Sequence, residues 1–550
     1  MPALLRSVAA AGLAAAALSC VHAQVRVGSS APAADGLTVS AAAVDAHLRY
    51  LADDLLEGRA PATRGGRLAA RYIAAQFREM GLEPAGRDGS YYEPVALVGM
   101  MPQATMSWGR AGAAPTALRY GEDFVAWAER PDERVAADAE VVFVGYGVRA
   151  ADWQWDDFKG QDLKGKILLM LVNDPGLQDT TVFLGKVLTY YGRWTYKLEE
   201  GVRQGAAGVL LVHTPESATY GWNVVRGSWT VEQFKLDRTA AQSMPLAGWV
   251  TYDATKAALA AAGHDLDALT RAAARRDFRP VATGIRAAAT VTSRVRRVPS
   301  ENVVARLPGS DAAVADQFVL YTAHYDHKGI GVAVNGDSIY NGAEDNASGV
   351  AAMLELARVL KDAPRARRSF VFAAVTAEES GLLGSEGWAA DPPLPLARTA
   401  AVLNIDGINV RGRTRDIGAL GLDRSTLGPM FEAAAAAESL RVSREPDVRG
   451  SFFRSDHFPF AKAGVPALSL QGGVDFVGRP PEWGREQDAL YDRVRYHQPS
   501  DEWSASFDYG GTLQEIRVMA RTGLSVANAA EMPTWLTTSE FQRPATTQRR

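Results

Sequence analysis

Residues Phe318-Val319-Leu320-Tyr321-Thr322-Ala323-His324-Tyr325-Asp326-His327 run from an apolar strand straight into a cluster of metal-type side chains. The apolar part, Phe318 to Thr322, is the length of a buried strand, and the chain beyond it alternates helix with strand. Ala347 to Leu360 reads as a helix, Phe370 to Val375 as a strand, and Gly384 to Ala390 as the start of another helix. Ala400 to Ile405 is again a strand and Leu427 to Glu438 an Ala-rich helix. From Asn302 onward this alternation predicts an α/β fold: a mixed, largely parallel sheet covered by helices on both faces.

Upstream the texture differs. Val44 to Gly81 is helical in pattern, with Leu48, Leu51, Leu55 and Leu56 on one face, then Leu68, Tyr72, Ile73 and Phe77, and Gly81 as a stop. From Ala104 to Thr290, short runs such as Val141 to Val144, Ile167 to Val172 and Val209 to Val212 alternate with Gly, Asp and Trp clusters, which predicts a β-rich insert. No ligand-like cluster of His, Asp and Glu falls within it.

At 550 residues the chain exceeds one ordinary core, so more than one domain is expected. With a net charge of −4 and no block of Lys and Arg, no nucleic-acid partner is expected. Arg6, the apolar run Val8 to Leu18, and Val21-His22-Ala23 predict a signal peptide over 1–23, and with it a secreted or periplasmic protein beginning at Gln24. Cys20 is the single cysteine; Leu18-Ser19-Cys20 also resembles a lipoprotein signal, which would anchor the chain instead. No later run is apolar enough to predict a transmembrane segment.

The chemistry gathers in five segments, each at the end of a strand or in a loop beside one, where ligands bind in open α/β sheets. His324 can offer a neutral imidazole to zinc while Asp326 accepts the other ring N–H; alone, the pair reads equally as a structural histidine. Asp345 can bridge two metals with its two oxygens or simply cap the next helix. Glu378 and Glu379 cannot both stay bland in one buried site, since like charges repel there; one goes to a metal and the other moves protons. Asp406 closes a strand, and His497 stands beside a turn.

In combination these segments resemble the co-catalytic di-zinc exopeptidases of metallopeptidase family 28, over residues 44–110 and 290–530. The resemblance implies two zinc ions: His324, Asp345 and Asp406 for one, and His497, Glu379 and the shared Asp345 for the other. It further implies Glu378 as general base, Asp326 as the partner of His324, Tyr496 as an oxyanion donor, and a cis peptide at Asp345-Asn346. Phe452 and Phe453, in the loop before Arg454-Ser455-Asp456-His457, either wall an apolar pocket or pack in the core; His327 and His457 receive no metal role. The insert is similar to a protease-associated domain, through Val144-Gly145-Tyr146-Gly147 and Asp162 to Ile167.

The implied organisation is a signal peptide 1–23, a linker 24–40, a peptidase domain of 41–103 plus 291–530, an insert of 104–290 and a flexible tail 531–550. The implied activity is removal of N-terminal residues from peptide substrates. A carboxypeptidase or dipeptidase, a single-zinc glutaminyl cyclase-like enzyme, and a receptor-like binding module are the other readings of the same fold.

Overall fold

The computed structural model describes residues 36–110, 112–237 and 243–543. The expected signal segment and Cys20 lie outside them. The end of the expected linker is packed chain: Leu37 and Val39 alternate into the core, and the Ser40 hydroxyl caps helix α1 (Ala41–Leu51) by accepting from Ala43 N–H. Helix α2 (Arg64–Glu79) is capped by Thr63 and buries Ala69, Ala70, Ile73, Ala74 and Phe77. It ends before Gly81, whose φ of 72° is left-handed.

The sheet that carries the site comprises β1 (Val281–Leu307), β2 (Phe318–His324), β3 (Ser369–Val375), β4 (Thr399–Asn404), β5 (Asp416–Leu420) and β6 (Ala467–Gln471). Their order is β5-β6-β4-β2-β3-β1. The four inner strands are parallel, while β1 and β5 run antiparallel at the two sides. Period-2 alternation covers both faces. Val319, Tyr321 and Ala323 of β2 pack with α1, α2, α3 (Ser348–Asp362) and the late helix Gly510–Asn528, whereas Phe318 and Leu320 pack towards Trp388 and Phe460. The expected mixed, largely parallel α/β architecture is what forms.

The insert extends the same hydrogen-bonded sheet but has apolar clusters of its own on both faces. Its strands are β-rich as expected, joined by helices such as Trp194–Arg203 and Tyr252–Ala261. Two long antiparallel strands, Tyr92–Arg110 and β1, carry the chain out and back, with Ala104 paired to Val291. Beyond this ribbon, Leu188 and Tyr190 of the insert pack against Phe452, Phe453 and Phe458.

The tail departs from expectation. As far as residue 543 it is packed: Trp535 and Phe541 are buried, and the Trp535 indole N–H donates to Gly464 O at 3.0 Å. Its polar, Pro-containing composition disguised two aromatics that fill the face opposite α3.

Candidate metal centre

The carboxyl ends of β2, β3 and β4 lie side by side because the three strands are parallel and in register. That alone brings His324, Glu378, Glu379 and Asp406 to one edge of the sheet. The Asp345 loop is added by packing. Asn346 Nδ2 donates to Ile405 O at 3.0 Å, and its Oδ1 accepts from Gly407 N at 2.8 Å, which ties it to the Asp406 loop. Asp501, fully buried, accepts the N–H groups of Glu344 and Asp345 and ties the same loop to the His497 segment. The bond Asp345-Asn346 is cis. Ala377 and His497 both take left-handed backbone, at φ 55°, where the chain turns into the site.

Two clusters result, joined at Asp345. His324 Nε2 lies 3.2 Å from Asp345 Oδ1 and 3.1 Å from Asp406 Oδ1. His497 Nε2 lies 3.2 Å from Asp345 Oδ2 and 3.2 Å from Glu379 Oε2. Tetrahedral zinc with bonds of about 2.0–2.1 Å sets its donor atoms about 3.3 Å apart, so both donor sets fit the ion. The donor chemistry agrees: imidazole and carboxylate, with the anionic charge concentrated where Asp345 and Glu379 are both largely buried.

Sequence reasoning missed two neighbours. His327 Nδ1 stands 2.7 Å from Glu379 Oε1, and His327, Asp345 and Glu379 also form a metal-type group. The other ring nitrogen, Nε2, is buried without a hydrogen-bond partner. Lys328 Nζ is 2.8 Å from Glu379 Oε2. The available signal was position alone: both residues share the short loop after His324.

Asp326 is in place but differs in detail. The ring nitrogen His324 Nδ1 lies 3.1 Å from the backbone carbonyl of Asp326, and 3.9 Å from its carboxylate Oδ1. That carboxylate oxygen accepts the backbone N–H of Glu378 at 3.1 Å. The expected carboxylate-to-imidazole bond is thus replaced by a carbonyl-to-imidazole one, because the tight turn after β2 folds the main chain back onto the ring. Burial pushes the Asp326 carboxyl up to about 6, against the pull of His324.

The two glutamates diverge. Burial lifts Glu378 well above the carboxylate range, and Asp406, Glu379 and Asp456 add to it in spite of His324. Burial would lift Glu379 too, but His497, Lys328 and His327 hold it well below its ordinary value. Tyr496 stacks on the His497 ring at 3.8 Å and is 47 % exposed. Partial burial, then the charges of Asp345 and Glu379, raise the phenol well above its ordinary value.

Beneath the site, Arg59 is 1 % exposed. Its guanidinium donates to Tyr325 O at 2.8 Å, Gly342 O at 2.9 Å, Asn341 O at 2.5 Å and Leu51 O, clamping the His324 and Asp345 loops together. Phe452 and Phe453 are core residues, each 1 % exposed.

Among proteins of known type, a probable zinc metalloprotease of Pyrenophora teres f. teres is 38% identical over 237 residues, 42% of this chain and 50% of that one. Aminopeptidase YwaD of Bacillus subtilis is 29% identical over 185 residues, 33% of this chain and 35% of that one. The chain thus spans half or less of the length of these curated relatives. A solved aminopeptidase from Aneurinibacillus sp. strain AM-1 aligns over 92% of this chain and 98% of its own, at 21% identity and a TM-score of 0.48. Residues 302–522, which hold every residue of both clusters, match the model of Peptidase family M28.

Proposed function

We propose that the protein is an exported zinc exopeptidase that removes N-terminal residues from peptides, with two zinc ions sharing Asp345. The observation that carries this reading is the split carboxylate of Asp345, one oxygen to each histidine, beside a glutamate pair of which only Glu379 is engaged. His324 and Asp406 would hold one ion, His497 and Glu379 the other. When bound, zinc supplies a Lewis acid that polarises a carbonyl and acidifies water.

The chain's own part is set by position. Glu378 accepts a proton from the attacking water and returns it to the leaving amine nitrogen. Burial raises its proton affinity, which strengthens it as a base. The Tyr496 hydroxyl donates to the oxyanion as it forms. Asp326 holds the Glu378 backbone. The insert serves as a protease-associated domain at the side of the catalytic sheet, and the leader read over 1–23 accounts for export.

The test is a mixed peptide library digested by the zinc-loaded protein and read by mass spectrometry. Peptides shortened from the amino end support the proposal. Shortening from the carboxyl end would make the enzyme a carboxypeptidase, cyclisation of N-terminal glutamine with no cleavage would make it a cyclase, and no change at all would leave a binding module.

A further inference from the structure

The seam between insert and catalytic sheet contains two arginines without an acid. Arg193, from the insert, and Arg454, from the loop that leads to Asp456, both line a cavity of about 10 Å³ together with Ser217, Tyr220 and Trp194. The Nε atom of each guanidinium is buried with no hydrogen-bond partner. Arg454 has one neutral acceptor, Thr219 Oγ1 at 2.8 Å, and neither arginine has an ion-pair partner among the described residues. Asp447, whose charge acts on Arg193, is committed elsewhere: its two oxygens accept the N–H groups of Ser451 and Phe452 at 2.8 Å each. Burial, then the like charge of Arg454, pushes the Arg193 guanidinium down to about 9.

We propose that Arg193 and Arg454 bind a monatomic monovalent anion, chloride in chemical class, at this seam. Two cations forced together with orphaned donors are stabilised only by a negative charge between them. The rest of the wall agrees. Tyr220 adds a hydroxyl, and Arg193 is the N-cap of the helix Trp194–Arg203, whose first turn has no side-chain cap. The cavity admits the centre of one water-sized species, which suits a halide and excludes phosphate or sulfate. Because one arginine comes from each side, the anion joins the insert to the loop beside the metal centre. The anion site is separate from that centre and does not depend on which reaction the metals serve.

The test uses the full chain in sodium gluconate at fixed ionic strength. Adding chloride should raise the melting temperature saturably, and bromide should act alike. Arg193→Gln and Arg454→Gln should each weaken the apparent chloride affinity by roughly 10- to 100-fold, the worth of a charged hydrogen bond. A crystal soaked in bromide should show an anomalous peak between the two guanidiniums. Variants that respond to chloride as the unaltered protein does, or a bromide-soaked crystal with no peak there, would overturn the site. Should a variant fail to fold, the bromide peak in the unaltered protein decides alone.

Discussion

The Asp326 carboxylate accepts the backbone N–H of Glu378 at 3.1 Å, which joins the loop after β2 to the loop after its neighbour β3. The His324 ring is steadied by the Asp326 carbonyl instead, and a side-chain change leaves that carbonyl in place. Asp326→Ala should therefore spare zinc binding and lower kcat by about 10- to 100-fold, the range of supporting residues around metal sites. Loss of zinc affinity at unchanged kcat would show that the carboxylate acts through His324.

Glu378→Gln keeps size and hydrogen bonding but cannot take a proton. Turnover should fall by about 10²–10⁴-fold with both metals retained, as measured by steady-state kinetics beside elemental analysis. Near-normal turnover would remove Glu378 from the role of base.

Two histidines compete for the second cluster, since His497 and His327 both reach Glu379. His497 also touches Asp345 Oδ2, so His497→Ala should reduce bound zinc from two equivalents to one. His327→Gln should keep two equivalents and weaken the second by about 10- to 100-fold. The opposite pattern in a zinc titration would make His327 the ligand.

Glu515 predicts a pH dependence of stability away from the metals. Burial pushes its carboxyl up from 4.5 to about 8, against its hydrogen bond from Asn409 N–H and the charge of Arg411. Between those pH values the unfolded chain binds fewer protons than the folded one. The contribution of the neutral carboxyl is full below 4.5 and is lost as pH rises to about 8. Raising the pH from about 5 to about 8 should therefore lower the melting temperature more in the unaltered protein than in Glu515→Gln. Parallel pH curves for the two proteins would refute it.

The packed tail can be tested directly. Trp535→Ala removes a buried indole and its bond to Gly464 O, and should cost about 3–5 kcal/mol of unfolding free energy. A variant within about 0.5 kcal/mol, the range of exposed sites, would show that the tail does not contribute to the core.

Much of the fold and site was legible in the amino-acid sequence. Strand periods marked β2, β3 and β4 to within a residue or two, and a parallel sheet places the residues just past such strands together. His324, Glu378, Glu379 and Asp406 could therefore be joined on that ground, with Asp345 and His497 read from loops beside strands and the family likeness giving each its ligand role. His327, Lys328, Arg59 and Asp501 could not. Each acts through a partner on another segment, and nothing within a few residues of them records that partner.

Local pattern was enough for the alternating α/β architecture, the β-rich insert and the ligand-bearing segments, because period and side-chain chemistry are written locally. Tertiary structure decided which carbonyl steadies His324, that two histidines flank Glu379, that the tail folds back through Trp535, and that Arg193 meets Arg454 across the seam. Those outcomes depend on which surfaces the chain brings into contact across tens to hundreds of residues, and burial, not local pattern, selects them.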